Sequence, residues 1–100
     1  MQSSLERLNL DGILTSKAVS QEVRFLSETL ETLLDSGEIS TDAYLDAGTI
    51  QGGLSVLANL IAQGVSAEEA RIQLQQLRVR AENINSNYPE LDGKIEGIRH

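Results

Sequence analysis

Three stretches of the chain repeat apolar residues at alternating spacings of three and four positions. An α-helix turns once in about 3.6 residues, so this spacing places the repeated residues on one face of a helix. A β-strand would alternate apolar and polar residues, and no stretch sustains that pattern. The stretches are Val19, Val23, Leu26, Leu30 and Leu33; Ala47, Ile50, Leu54, Leu57 and Ile61; and Ala70, Leu74, Leu77, Ala81 and Ile84. The sequence therefore predicts three amphipathic helices.

Capping and turn residues mark where these helices begin and end. Ser16, Ser40 and Ser66 precede the three stretches, and a serine oxygen can accept a free N–H group of a first helical turn. Gly37 and Gly64 follow the first two stretches, and glycine readily adopts the left-handed conformation that ends a helix. The predicted helices span about 16–36, 41–63 and 66–86. Turns this short make consecutive helices antiparallel.

The two ends of the chain carry weaker signals. Residues 3–10 contain three leucines and predict a short extra N-terminal helix. Pro89 blocks continuation of the third long helix, and two glycines follow it. We therefore expect residues 88–100 to form a mobile tail, with docking through its leucine and two isoleucines as the alternative.

These elements predict an all-α fold, an antiparallel three-helix bundle in a single helical domain over residues 1–100. The second and third helices also carry apolar residues outside the stripes, more than one narrow seam requires. We therefore expect the bundle to assemble into a helical dimer, with a closed monomeric bundle as the alternative. The residues outside the stripes are Leu45, Val56, Ala58, Leu60, Ile72 and Val79.

The charge balance limits the class of partner. The chain has 15 acidic and eight basic residues, for a formal net charge of −7. Neutralising phosphates requires the opposite balance. Direct nucleic-acid binding is therefore not expected, and the predicted partner is a protein, a second copy of the chain, or both.

The residues that usually carry chemistry are scarce. The chain has no cysteine, and its one histidine is His100, the last residue. A disulfide scaffold and a thiolate metal site are excluded, and a nucleophile–base pair lacks its usual members. The acids between Asp35 and Asp46 do not follow calcium-loop spacing. We expect no enzymatic activity, no cofactor and no metal.

No targeting or membrane segment is expected. The longest apolar run, residues 54–62, is about half of the roughly 20 residues that cross a bilayer. The first residues lack the basic and apolar regions of a signal peptide. The expected location is therefore cytoplasmic, without membrane attachment.

The middle helix carries a ridge of small residues that gives the first candidate interface. Each interior glycine costs a helix about 1 kcal/mol relative to alanine, so such a cluster needs a reason. The ridge, spaced by four and three, is Gly48, Gly52, Ser55, Asn59 and Ala62. Small residues let another backbone approach closely. Three interpretations stay open: packing inside one bundle, a face for a partner helix, or a kink at Gly52 and Gly53.

Acidic residues concentrate between positions 22 and 46 and give a second candidate surface. Its members are Glu28, Glu31, Asp35, Glu38, Asp42 and Asp46. Such a surface steers association with a basic partner and is sensitive to salt. A solvated, solubilising face is the alternative interpretation.

These features predict a non-enzymatic protein-binding module: a small adaptor, regulator or stoichiometric inhibitor that acts through the small-residue ridge and the flanking apolar residues. The alternative is an acidic mimic of nucleic acid that inhibits a DNA- or RNA-binding machine, as a phage- or plasmid-type inhibitor does. The first interpretation predicts dependence on Gly52, and the second predicts dependence on the acidic residues.

Overall fold

A computed structural model of the chain describes residues 1–10 and 14–99. Every regular element in this part of the chain is an α-helix, so the all-α prediction is confirmed. The bundle has five helices where three long ones and a short one were predicted. They are α1 (Gln2–Leu10), α2 (Ser16–Asp35), α3 (Thr41–Ala62), α4 (Ala67–Asn87) and α5 (Leu91–Arg99).

Two of the three predicted caps are present as expected. The Ser40 side chain accepts a hydrogen bond from the Ala43 N–H at 3.1 Å, and that of Ser66 accepts from the Glu69 N–H at 3.1 Å. Each cap supplies an acceptor for an N–H group that the first turn leaves unpaired.

The predicted cap at Ser16 is wrong. Thr15 is the cap of α2, and its hydroxyl oxygen accepts from the Ala18 N–H at 3.0 Å. Ser16 is the first helical residue, and its hydroxyl donates to the Ala58 carbonyl of α3 at 3.1 Å. Because the Thr15 hydroxyl caps α2, the Ser16 hydroxyl is available for a hydrogen bond to α3.

Left-handed glycines end α2 and α3 as predicted. Gly37 has a φ of +77° and Gly64 a φ of +93°. At the end of α2, the Gly37 N–H donates to the Leu34 carbonyl and the Glu38 N–H donates to the Leu33 carbonyl. This pair of bonds is the Schellman motif, which a residue with a Cβ atom would strain.

The predicted apolar stripes form the core. All their residues are buried except Val23 and Ile61, which are partly buried against it. Helix α3 packs against both α2 and α4. Helix α1 packs against α4 and α2, and α5 packs against α2. The core therefore lies on one side of α3.

Most of the segment expected to be a mobile tail is helical instead, because α5 covers Leu91–Arg99. Leu91 and Ile95 of α5 are buried, whereas Ile98 is 42% exposed. Gly93 and Gly97 each cost the helix about 1 kcal/mol, but burial of one large aliphatic side chain contributes about 1.5–3 kcal/mol. The burial of two side chains therefore contributes more free energy than the two glycines cost, and α5 packs against the bundle.

Polar contacts join α5 to the rest of the bundle. Asp92 lies 3.1 Å from the Met1 amino group and accepts a hydrogen bond from the Asn85 side-chain amide at 2.7 Å. The Lys94 ammonium donates to the Glu38 carbonyl in the turn after α2. These contacts connect the C-terminal helix with α1, α4 and the α2–α3 turn.

None of the described helices is both long and apolar enough to cross a membrane.

Candidate functional site

The side of α3 that points away from the core carries the most exposed large apolar residues of the described chain. Leu45 is 60% exposed and Val56 is 58% exposed. They lie seven positions before and four positions after Gly52, which is itself exposed, so all three share one side of the helix. We call this side, from Leu45 to Asn59, the α3 outer face.

The predicted small-residue ridge lies on this same side. Gly52, Asn59 and Ala62 are exposed, and Gly48 and Ser55 are half-buried. Helix α3 runs as one element from Thr41 to Ala62. The structure thus brings the ridge together with the two exposed apolar residues.

The three glycines of α3 have different surroundings. A Cβ atom at Gly53 would overlap the Leu77 side chain of α4, so this glycine permits close packing inside the bundle. A Cβ atom at Gly48 or Gly52 would have no described heavy atom of a neighbouring element within 4 Å. Internal packing therefore accounts for Gly53 and leaves the other two unexplained within one copy.

The α3 outer face is also uncharged. After Asp46, the next charged residue along the chain is Glu68, so the last 16 residues of α3 carry no charge. The exposed residues of this face are two large apolar ones, Leu45 and Val56, with small or uncharged polar ones such as Thr49 and Asn59 between and beside them. Exposed large apolar residues on an uncharged surface are typical of an interaction site.

A shallow groove borders the outer face where α3 meets α4. It has a volume of about 220 Å³. Gly53 and Val56 line it from α3, and Gln73, Leu77 and Arg80 line it from α4. Gln76 also lines it, so the groove adjoins the outer face with a mixed apolar and polar lining and one positive charge, that of Arg80.

The predicted acidic surface falls into two groups. Glu28, Glu31 and Asp35 are exposed along the outer side of α2, and Arg24 pairs with Glu28 at 3.6 Å. Asp42 and Asp46 lie beside Tyr88 at the far end of α4. The second group is thus engaged by a contact with the residue that caps the end of α4.

Glu38, the remaining acidic candidate, lies in the turn after α2. Its carboxylate accepts a hydrogen bond from the Ser36 hydroxyl at 2.9 Å. It also lines a cavity of about 340 Å³ between the α2–α3 and α4–α5 turns. Lys94, which lines the same cavity, already binds the Glu38 carbonyl and lies 3.8 Å from Glu90. The polar groups of Glu38 and Lys94 in this cavity are therefore engaged in contacts within the bundle.

The pKa of Tyr88 is raised above the ordinary value of 10.0 for a tyrosine. Desolvation is the largest cause, followed by the negative charge of Asp46, the hydrogen bond to its carboxylate and the charge of Asp42. Each of these effects disfavours the phenolate.

In a Tyr44→Phe variant, which leaves Tyr88 as the one tyrosine, we expect the phenol to titrate above pH 10.0. The Tyr88 contribution to stability is present below that pH and is lost as the pH rises above it, because the unfolded chain releases this proton first. Absorbance titration measures the pKa. Adding Asp46→Asn should lower it towards the ordinary value; an unchanged titration would contradict the assigned contact.

Side chains that could bind a metal ion do not cluster in the described residues. These residues contain no group of three or more His, Asp or Glu side chains that could hold a metal ion. The one histidine, His100, lies outside the described residues.

The sequence predicted the ridge and the flanking apolar residues, but not the contacts of α3 with α4 around them. Leu45 and Val56 stand at heptad-compatible distances from Gly52, a signal that was available in the sequence. The positions of Arg80 and of the Asp46–Tyr88 contact depend on which side of α4 meets α3, and no local pattern carries that information.

No protein-family model matches this chain, and neither a curated protein nor a solved structure does.

Proposed function

We propose that this protein is a non-enzymatic protein-binding module, a small adaptor, regulator or stoichiometric inhibitor, and that the α3 outer face is its binding surface. One observation carries the proposal: the most exposed large apolar residues, Leu45 and Val56, flank an exposed glycine on an uncharged helix side. Burial of apolar surface is the main driving force of most protein association.

The glycines support the same proposal through shape. Gly48 and Gly52 have open space above them, so the backbone of α3 is accessible to a partner helix. Their cost of about 1 kcal/mol each to the isolated helix is offset when a partner packs closely against them.

A second candidate function rests on α2. Glu28, Glu31 and Asp35 form an exposed acidic stripe, a feature suited to a nucleic-acid-mimicking inhibitor. The Asp46 carboxylate accepts a hydrogen bond from Tyr88 and the Glu38 carboxylate accepts one from Ser36, so fewer acidic groups are available to a basic partner. The α3 outer face is therefore the better supported site.

Site-specific photo-cross-linking in cells that produce the protein separates the two candidates. A photoreactive residue at Leu45 should capture protein partners, and a Val56→Glu substitution should abolish that capture by placing a charge in the apolar contact. The matched probe at Glu31 reports on the acidic stripe. Capture from Glu31 alone, insensitive to Val56→Glu and lost at high salt, would refute the α3 proposal in favour of the mimic.

A further inference from the structure

On the α3 outer face, a large apolar residue on one side of Gly52 corresponds to a smaller or polar residue at the same distance on the other side. Leu45 and Asn59 lie seven positions before and after it, and Gly48 and Val56 lie four positions before and after it. We propose that a second copy of this chain covers this face, with the two α3 helices antiparallel across a two-fold axis at Gly52. This inference rests on the proposed function and names the partner of that same surface.

The symmetry pairs large residues with small ones. In an antiparallel pair centred on Gly52, Val56 comes level with Gly48 of the second copy, and Leu45 comes level with Asn59 of the second copy. The two Gly52 residues meet at the axis. Because no described neighbouring heavy atom lies within 4 Å of a Cβ position at Gly48 or Gly52, there is room for the second copy's side chains.

The charge distribution favours the α3 outer face as the contact and an antiparallel orientation of the two α3 helices. Two copies with a net charge of −7 each repel one another, and the uncharged α3 outer face adds least to that repulsion. A parallel pair would set Asp46 against Asp46. The antiparallel pair sets Asp46 level with Ala58 of the second copy, within a turn of the groove that Val56 and Arg80 line. The antiparallel arrangement therefore keeps the two Asp46 carboxylates apart.

The outer face is long enough for a paired-helix contact. Leu45 and Asn59 are 14 positions apart, so the face runs for about 21 Å at 1.5 Å per residue. A two-fold contact also closes after two copies, so it gives a dimer and not a filament.

Cysteine cross-linking tests the axis directly, because the chain has no cysteine of its own. Under mild oxidation, Gly52→Cys should form a disulfide-linked dimer, since the axis brings the two positions together. Leu45→Cys and Asn59→Cys should each stay unlinked alone and form a mixed dimer when combined. Gln21→Cys, at an exposed position of α2, is the matched control and should form no disulfide link between copies.

The possible outcomes discriminate among the arrangements. Linking of Leu45→Cys or Asn59→Cys alone, with no gain on mixing, would overturn the antiparallel arrangement. Absence of linking in all variants, with circular dichroism confirming their helices, would overturn the second copy as partner. Photo-cross-links from Leu45 to other proteins would then still support the proposed function, whereas loss of both results would refute both proposals.

Discussion

Replacing Gly52 by leucine is expected to weaken the association of two copies by roughly 5- to 150-fold, because overpacking costs about 1–3 kcal/mol and 1.4 kcal/mol is a tenfold change in affinity. The leucine would stand where the two helices approach most closely. Within one copy it meets open space, so the bundle should keep its helix content. Sedimentation equilibrium measures the dissociation constant, and circular dichroism measures the fold.

Two matched variants separate the proposed interface from general surface effects. Gly52→Ala adds a single methyl group and should weaken association less than leucine does. Gln21→Leu places the same bulk at an exposed position of α2 and should leave association unchanged. Equal affinities for the Gly52→Leu variant and the unsubstituted protein would remove Gly52 from the interface.

Replacing Ile95 by alanine is expected to lower the free energy of unfolding by about 2–5 kcal/mol, the usual cost of removing a large aliphatic side chain from a core. Ile95 is fully buried in α5, and its side chain joins the single core of the bundle. Urea denaturation followed by circular dichroism measures the change.

Ile98→Ala is the matched control, because Ile98 lies in the same helix but is 42% exposed. We expect a change within about 0.5 kcal/mol, as for most surface substitutions. A similarly small effect of Ile95→Ala would mean that residues 91–99 do not pack against the bundle. The sequence-based prediction of a mobile tail would then be correct.

The long helices could be predicted because their signals are local. The apolar spacing in α2, α3 and α4 determines which side each helix buries, and Gly37 and Gly64 end the first two through their left-handed conformations. These features depend on residues within one or two turns of each other. The boundaries therefore agree with the prediction to within one residue.

Helix α5 could not be predicted in the same way, because its stability comes from distant residues. Locally, Gly93 and Gly97 argue against a helix. Burial of Leu91 and Ile95 against the bundle, which the sequence does not display, reverses that preference. The same reasoning explains Ser16, whose partner is the Ala58 carbonyl, 42 positions away.

The candidate interface was predictable in part. Spacing alone placed the ridge residues on one side of α3. Whether that side faces the core or solvent depends on packing, and the structure separates Gly53, which contacts Leu77, from Gly48 and Gly52, which face open space. The acidic candidates show the limit of this approach. Proximity in sequence grouped Asp46 with Glu31, but the Asp46 carboxylate contacts Tyr88, the residue that caps α4.

The molar mass in solution, measured by light scattering behind a sizing column at rising concentration and at two salt levels, tests the α3 outer face most directly. We predict a mass that rises from 10.9 kDa towards the value of a dimer, with association no weaker at the higher salt level, because the face is uncharged and salt screens the repulsion between two copies of net charge −7. A mass of 10.9 kDa at every concentration, or a dimer that dissociates as salt rises, would contradict an apolar interface between two copies.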